Sequence, residues 1–495
     1  MKRSLSKLLV MVMIFVNSMS GVAAALTPSA VVKPGIKAQF NGQEIQFADA
    51  TPQIINGRTM VPFRQILETM GATVAFDQPT QTVTVVKPGM EFSFVIGGTD
   101  ITVVQNGRTT IKKMDVAPFL DPKTNRTYVP ARFMAESMGN SVYWDQEAQT
   151  AVIIDQAAVF ADADEDFSII SKLLTMDMDL QKSYESTGTF QADFAVSEKA
   201  TGSESLAFAM SGDFSGVTKQ SSADMDMNMA FDADQLTAMM TAEEKTEMQP
   251  MLDMLRDIQM RIKLNGESGA MYMNSNIFSL MDPSLGQNTW LKMNIFDTYD
   301  EMGLDIRPMM NYSGSKISFS QLLQMSVMSM NSGTVDSYQE MKLGYAFMKN
   351  LMGDQAFSTA VSGSDTIHTL NLDKADILAA MGKAALTEGV QLDSAVMSEM
   401  TEAFRAIELN ADIMIKETNG KLSGYEMKGG LSAEGMDCTF SQTGGPRSAS
   451  MEMMLQQQDM MTMTISAASQ YTETSRTPDL ALPAGAQVLD YDSLS

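Results

Sequence analysis

The chain has 495 residues, with 35 Lys and Arg against 60 Asp and Glu, and its formal net charge is −25. An acidic surface of this size repels phosphate backbones and anionic lipid headgroups, which argues against nucleic acid and bare membrane as partners. The single cysteine excludes an internal disulfide framework, and the 47 methionines are the chain's most unusual compositional feature.

The first 25 residues have the features of a secretory signal peptide. A basic segment at residues 2–7 precedes an apolar stretch at 8–16, and three alanines at 23–25 offer a cleavage site. The apolar stretch is shorter than the roughly 18 residues that a transmembrane helix needs, and no later stretch reaches that length. The sequence therefore predicts an exported chain, secreted or associated with the cell wall, with no transmembrane segment.

Charge and methionine content both change near residue 157. Residues 27–157 have 11 Lys and Arg and 12 Asp and Glu, whereas residues 158–495 have 21 and 48. The first segment contains 6 methionines and the second contains 37. Two shifts at one point indicate a domain boundary. We expect an acidic linker and helix at 158–185, followed by an acidic, methionine-rich domain at 186–495.

Residues 27–157 contain two copies of one motif, offset by 68 positions. The string Arg-Thr-x-Val-Pro-x-Arg occurs at 58–64 and again at 126–132. The landmarks that share this offset are Arg64 and Arg132, Gly71 and Gly139, and Asp77 and Asp145. Spacing after each proline predicts a helix with the proline at its first position, and alternation after each glycine predicts a β-hairpin. Because one helix on one hairpin buries little apolar surface, we expect the copies to share one sheet and one core.

This doubled motif resembles the copper amine oxidase N-terminal domain, a stalk module of exported proteins from Gram-positive bacteria. For residues 27–157 the resemblance implies a small antiparallel sheet packed on helices, and it does not imply oxidase chemistry. The oxidases bind copper through three histidines and form a quinone from a tyrosine in an Asn-Tyr-Asp/Glu string. This chain has one histidine, and Asn311-Tyr312 is followed by Ser313. We therefore expect neither oxidase activity nor a resident metal or cofactor.

Arg64 and Arg132 allow two interpretations. A pair of arginines can form a clamp for a carboxylate ligand. Alternatively, each arginine lies in the first turn of its helix and bonds loop carbonyls or the aspartates Asp77 and Asp145. We favour the structural interpretation, because a scaffold is duplicated more often than a ligand site.

Beyond residue 185, alternation of apolar and polar residues dominates and predicts half-buried antiparallel strands. Methionine takes part in this alternation at Met225, Met227 and Met229, at Met271 and Met273, and at Met461 and Met463. Helical spacing is found at 167–184, 234–262, 337–352, 374–385 and 394–409. Many strands with a few grouped helices predict an α+β fold, with a large curved antiparallel sheet and packed helices.

The same region is similar to the lipoprotein-carrier family and related exported lipoproteins. The likeness is carried by a strand at 270–273, an Asn-Thr-Trp-Leu-Lys-Met string at 288–293 and a hairpin at 416–427. The resemblance implies a half-barrel that holds an acyl chain or the tail of a partner.

The seven methionines of the alternating strands have two interpretations. Thioethers select Cu(I), and Met-x-Met strings can present several sulfurs to that ion. Methionine also fills irregular apolar surfaces, and Met-x-Met on a strand puts both side chains on one face. We favour an apolar lining, as core or as the wall of a pocket for an apolar ligand. His368 and Cys438 share parity with apolar neighbours, and we interpret both as buried residues without a catalytic role.

The sequence as a whole predicts an exported non-enzymatic binding or scaffold protein of the bacterial cell envelope. A stalk module would support a domain that binds an apolar small molecule, a lipid or another envelope protein. Two alternatives stay open, namely an envelope hydrolase that uses clustered carboxylates and a methionine-based copper-binding protein.

Overall fold

The structure is a computed structural model, and it describes residues 35–47, 49–55, 57–105, 108–175, 179–196, 206–232, 234–238, 240–281, 285–301, 306–310, 316–328, 333–390, 407–433, 435–457 and 460–491. The predicted signal peptide, the Asn311-Tyr312 string and most of the helix predicted at 394–409 lie outside the described residues. The chain divides into two compact units. The first comprises Met1–Asp162 and Ser326–Ala346, and the second comprises Ala163–Met325 and Phe347–Ser495.

The described residues of the first unit form thirteen short strands and two helices of seven residues. The strands are β1 (Lys37–Phe40), β2 (Gln43–Glu44), β3 (Gln53–Ile55), β4 (Arg58–Pro62), β5 (Thr73–Asp77), β6 (Thr82–Lys87), β7 (Met90–Val95), β8 (Asp100–Gln105), β9 (Arg108–Lys113), β10 (Phe119–Asp121), β11 (Arg126–Pro130), β12 (Ser141–Asp145) and β13 (Thr150–Ile154). The helices are α1 (Phe63–Thr69) and α2 (Ala131–Ser137), followed by the single turn α3 (Gln156–Val159).

These strands form three sheets, in the orders β12-β13-β1-β2, β10-β11-β4-β3 and β5-β6-β7-β8-β9. The hairpins of the two copies lie in different sheets, so the expectation of one shared sheet is wrong. The copies instead pair through β4 and β11, where Val61 lies opposite Val129. The expectation of one shared core is correct, because Ile66 and Leu67 of α1 and Met134 of α2 belong to one buried cluster.

The proline of each copy ends a strand and does not occupy the first helical position. Pro62 and Pro130 are the last residues of β4 and β11, and helices α1 and α2 begin one residue later. The ring fixes φ near −65°, a value that suits an extended residue as well as a first helical one. Pairing across β4 and β11 decides between the two positions, since Pro62 lies opposite Tyr128. The predicted helix starts are therefore one residue too early.

Both helices of the repeat end at glycine, as the sequence predicts. Gly71 and Gly139 have φ of +78° and +77°, which is the region that favours glycine. Their amides donate to the carbonyl oxygens of Glu68 and Glu136, each at 3.0 Å.

One large sheet dominates the second unit. Its strands are β14 (Ser183–Val196), β15 (Leu206–Lys219), β16 (Ser222–Asp232), β17 (Ile258–Leu264), β18 (Ala270–Ser275), β19 (Thr289–Asn294), β20 (Ser358–Ser362), β21 (Asp365–Asp373), β22 (Ile407–Thr418), β23 (Lys421–Ala433), β24 (Met436–Gly445), β25 (Ser448–Gln457), β26 (Met461–Thr474) and β27 (Gln487–Asp490). Its helices are α4 (Ala163–Asp166), α5 (Ser168–Thr175), α6 (Asp234–Ala238), α7 (Ala242–Leu255), α8 (Phe278–Met281), α9 (Ile295–Glu301), α10 (Arg307–Met310), α11 (Phe319–Met328), α12 (Ser337–Met352), a 3-10 turn (Asp354–Ala356) and α13 (Lys374–Glu388). The end of α11 and the start of α12 belong to the first unit.

The large sheet has 14 strands in the order β20-β21-β22-β23-β24-β25-β26-β14-β15-β16-β17-β18-β19-β27. Neighbouring strands are antiparallel, except that β19 and β27 are parallel. The α+β fold class is therefore confirmed. In the described part of the chain, no helix combines the length and the apolar character that crossing a membrane requires.

Two predicted helices are wrong in extent. The helix predicted at 167–184 ends at Thr175, and strand β14 already begins at Ser183. The helix predicted at 234–262 is two helices, α6 and α7, followed by strand β17. In β17 the residues Ile258, Met260 and Ile262 pair with Met229, Met227 and Met225 of β16. The alternation of these apolar residues is compatible with a strand. Pairing with the edge of the sheet then outweighs the local helical spacing.

Candidate functional site

The register of the large sheet assigns every strand residue to one of two faces, because directly opposed residues point to the same side. Met227 of β16 lies opposite Phe214 of β15 and Met260 of β17. Following such pairs from β19 to β23 gives one continuous apolar face, which we call the methionine face. Its methionines are Met210, Met225, Met227, Met229, Met260, Met271, Met273, Met293, Met427, Met436, Met451, Met453, Met461 and Met463. All seven methionines singled out in the sequence lie on it.

The opposite face is polar. On β16 the residues Asp224, Asp226 and Asn228 alternate with the methionines and point away from them. The Lys263 ammonium lies 3.3 Å from the Asp224 carboxylate, and the Arg261 guanidinium lies 3.3 Å from that of Asp226. The carboxylates beside the methionine strands are therefore held in ion pairs on the other side of the sheet.

The seven candidate methionines are all half-buried. This differs from the core of the first unit, where Met60 and Met134 are 0% and 1% exposed. A side chain in a closed core loses nearly all of its contact with water. The methionine side chains along β16, β18 and β26 are therefore partly covered and keep part of their surface open to water.

Glycines allow aromatic rings to lie flat on the middle of the methionine face. A Cβ at Gly188 of β14 would lie 2.5 Å from Cζ of Phe214, and one at Gly212 of β15 would lie 2.7 Å from Cζ of Phe190. Each ring thus covers the glycine of the neighbouring strand. Phe194 and Phe208 stack beside them with ring centroids 4.9 Å apart. These aromatic residues separate the methionines of β16–β18 from those of β25 and β26.

Helices of the second unit pack near both ends of the sheet and also in its middle, where α6 contacts β15 and α7 contacts β16. Helix α5 contacts β22 and β23, and α13 contacts β21 and β22. At the other end, Phe278 of α8 joins Leu291 of β19 in a buried cluster against which Met273 packs. Met273 therefore has a local covering layer.

A polar network lies buried on the same face beside α5. The Nε2 atom of His368 lies 2.8 Å from Oε1 of Glu417, and its Nδ1 atom lies 2.8 Å from the Thr359 hydroxyl. The Lys172 ammonium donates to the same Glu417 oxygen at 2.5 Å. Burial raises the pKa of Glu417, but the hydrogen bonds from Lys172 and His368 lower that pKa more, and the net shift is downward. His368 is thus a buried residue with two partners, in line with its strand position.

Two shallow depressions are the best formed in the described residues. The larger, of about 530 Å³, lies mainly on the polar face and is lined by Thr187, Asp213 and Ser450 among others. The smaller, of about 230 Å³, lies at the strand ends beside Phe194 and Phe208. Neither of these two depressions is lined by one of the seven methionines.

The repeat landmarks make local contacts. Nη1 of Arg64 donates to the Val74 carbonyl oxygen at 3.1 Å, whereas Arg132 lies 3.9 Å from Glu136 and is largely exposed. Neither of these contacts involves Asp77 or Asp145. The exposed Asp77 accepts a hydrogen bond from the Thr80 hydroxyl group within its own turn. Asp145 is buried and accepts the amides of Glu147 and Ala148 at 2.9 and 2.8 Å.

In the part of the chain that the structure describes, no group of three or more His, Cys, Asp or Glu side chains could hold a metal ion. The thiol of Cys438 is free and half-buried, so it is less enclosed than its strand position suggests.

The fold and the face define a class of protein in which a small duplicated unit accompanies an α+β unit whose large sheet has one apolar face. Residues 39–153 match the copper amine oxidase N-terminal domain, which confirms the resemblance of the repeat region to that family. A search of curated proteins finds no match. The likeness to lipoprotein carriers stays a prediction.

Solved structures give remote matches only. A mutant porin of Rh. blastica is 9% identical, with 58% of this chain and 99% of the porin covered and a TM-score of 0.12. The outer membrane protein Omp33 of Acinetobacter baumannii is 6% identical, with coverage of 59% and 100% and a TM-score of 0.10. TM-scores this low carry no argument about fold or function.

Proposed function

We propose that the chain is an exported, non-enzymatic binding protein of the bacterial cell envelope, and that the methionine face of its large sheet binds an apolar ligand. The observation that carries the proposal is the alignment of methionine and phenylalanine side chains on one face, where they are half-buried. A contiguous apolar surface of this kind is typical of interaction sites, since exposure to water disfavours it. The stalk-type unit would serve as the module that positions this binding unit.

The form of the face favours a long, flexible ligand. Methionine has three rotatable bonds and a polarizable sulfur, so a surface rich in methionine side chains adapts to ligands of irregular shape. An acyl chain lying along the face gains about 0.8 kcal/mol for each methylene removed from water. Part of this gain is lost to the entropy cost of association. We therefore expect micromolar affinity for fatty acids or lysolipids and weak discrimination between chain lengths.

Native mass spectrometry of the protein, gently extracted from the producing cell, tests this proposal. A retained apolar molecule that organic solvent removes would support it. A mass equal to that of the mature chain alone would favour a scaffold without a small ligand. A mass increase equal to one or more copper ions would favour the alternative below.

Copper binding is the second candidate, and the strand register is the specific observation in its favour. Met227 lies directly opposite Met260, and Met271 lies directly opposite Met293. Opposed residues of neighbouring strands have Cβ atoms about 5 Å apart, so two thioethers can reach one soft ion. Anaerobic titration with Cu(I) tests this candidate. Saturable binding that Met260→Leu abolishes would favour copper over the apolar ligand.

The hydrolase alternative is not proposed further. The carboxylates nearest the methionine strands, Asp224 and Asp226, are paired with Lys263 and Arg261. A glycosidase-type site needs two carboxylates that flank the scissile bond, and each of these two is held by a cationic side chain instead.

A further inference from the structure

A segment from the middle of the sequence lies on the second repeat of the first unit. Residues 326–346 belong to that unit although they are remote from it in sequence. We call residues 333–341 the strap. Nε2 of Gln39 donates to the Val335 carbonyl oxygen at 2.7 Å, and the Val335 amide donates to Oδ2 of Asp145 at 2.9 Å. Two side chains of the unit therefore bond both backbone polar groups of one strap residue, Val335.

We call these two hydrogen bonds to Val335 the polar clamp, and apolar contacts surround them. Val335, Tyr338 and Met341 of the strap pack on Tyr143, Val152 and Ile154. Val152 and Ile154, on which the strap packs, are both 0% exposed. Glycines shape the contact on both sides. A Cβ at Gly42 would lie 3.1 Å from Cδ1 of Tyr338, and one at Gly333 would lie 2.5 Å from Cγ of Tyr143.

The first repeat lacks these features, although its scaffold is the same. The residues 68 positions before Tyr143, Val152 and Ile154 are Ala75, Thr84 and Val86. Val86 is 47% exposed, and Asp77 bonds only within its turn among the contacts described. The scaffold does not require an apolar surface at this place. The second copy has acquired one where the strap lies.

We infer that this surface of the second repeat is a peptide-binding site, and that the strap is its ligand in cis. The ligand class is a peptide that presents one free backbone amide and carbonyl at a valine, with tyrosine and methionine three and six residues later. This spacing places the three side chains on one side of a helix start, and α12 begins at Ser337. The polar clamp recognises the backbone, and the apolar surface with its glycines recognises the side chains.

Occupation in cis has a consequence for binding in trans. A tethered segment has an effective concentration on the order of millimolar. An added peptide of micromolar affinity therefore cannot displace the strap from the intact chain. It can bind only where the strap has been released.

The first experiment measures amide hydrogen exchange in the full mature chain. In Asp145→Asn, Oδ1 can still accept the amides of Glu147 and Ala148, while an NH₂ group faces the Val335 amide and breaks the clamp. We expect exchange of peptides covering 333–341 to rise at least tenfold, with other segments unchanged. The matched control is Asp77→Asn, the same substitution in the first repeat, which should leave the strap protected. Equal protection of the strap in Asp145→Asn and the parent chain would overturn the inference.

The second experiment uses a fluorescein-labelled synthetic peptide of residues 331–346 and full-length chains. Val335→Asp with Tyr338→Ala releases the strap, and we expect this variant to bind the peptide one to one. The parent chain should bind at least tenfold more weakly, and so should the released variant that also carries Asp145→Asn. Equal binding by all three chains, or no binding by a folded released variant, would contradict the inference. If the released variant does not fold, the exchange experiment decides.

Discussion

Glu417 joins helix α5 to the large sheet through two charged or chargeable neighbours, Lys172 and His368. Its side chain is 6% exposed, so its charge depends on these hydrogen bonds. A buried carboxylate is costly unless it is paired, and removal of one partner leaves the others unsatisfied. The network therefore stabilises the fold at neutral pH.

We predict that Glu417→Gln lowers the free energy of unfolding by about 2–3 kcal/mol at pH 7, because Lys172 and His368 lose a charged partner. The pKa of Glu417 is below its usual 4.5 in the folded chain. Its stabilisation is thus complete above pH 4.5 and is lost as the pH falls through the folded-state pKa. Urea unfolding at pH 7 and at acidic pH measures this difference. Glu408→Gln, at an exposed pair with Lys374, is the control and should change little at either pH.

The glycines of β14 and β15 show how an element depends on the absence of a side chain. Phe214 lies over Gly188, and Phe190 lies over Gly212, so each ring occupies the volume that a Cβ would need. Glycine within a strand is usually unfavourable because it loses conformational freedom without packing. Here the neighbouring aromatic ring compensates by covering the bare backbone.

We predict that Gly188→Ala destabilises the chain by about 1–3 kcal/mol, since the new methyl group would lie 2.3 Å from the Ala468 carbonyl oxygen and 2.5 Å from the Phe214 ring. The matched control is Gly382→Ala in helix α13, where nothing lies within 4 Å of the added Cβ. Alanine favours a helix over glycine, so the control should stabilise by about 0.5–1 kcal/mol. Thermal unfolding of the two variants gives the comparison. A stabilising Gly188→Ala would show that the ring can move freely.

The sequence predicts some elements well because their signals are local. Parity alone places Met225, Met227 and Met229 on one face, and glycine at Gly71 and Gly139 ends the helices. Other features depend on pairing between distant residues. No local pattern shows that Pro62 pairs with Tyr128, that β27 pairs parallel to β19, or that Val335 bonds to Asp145 190 residues earlier.

The candidate site likewise combines features that local sequence predicts with features that depend on distant pairing. The alternation of the methionines predicts a shared face, but only the register shows that Met227 faces Met260 and that phenylalanines separate the two methionine groups. The degree of burial was also unpredictable, because a strand pattern does not reveal what covers it. Both Met227 and Met273 are half-buried and have the same pattern in sequence, but Met273 packs against the buried cluster of Phe278, Leu285 and Leu291.

At the scale of the whole molecule, the repeat region has the core of an independent unit. We predict that a fragment of residues 27–157 unfolds cooperatively, because its main cluster extends from Ala38 to Ile153. Without the strap, Tyr143, Val152 and Ile154 lose their cover, so adding the peptide 331–346 should raise the melting temperature. Circular dichroism during heating measures both effects. A fragment with a disordered amide spectrum would contradict the prediction.

The match to an oxidase domain leads to a prediction about chemistry. The matched residues, 39–153, contain no histidine, and the whole chain has one. We therefore expect that copper loading produces no quinone chromophore and that simple amines release no hydrogen peroxide above a heat-killed control. Peroxide release that depends on copper and on intact protein would refute this expectation.

The most direct test of the central claim is a titration of the mature full-length chain with a fluorescent fatty acid. The parent chain should bind with micromolar affinity. Met227→Asp should remain folded and lose at least tenfold in affinity, because an unpaired charge on the methionine face disfavours an apolar ligand. Ala230→Asp, at an exposed residue on the polar face of the same strand, should bind like the parent. Absence of binding by the parent chain, or equal binding by both variants, would contradict the account.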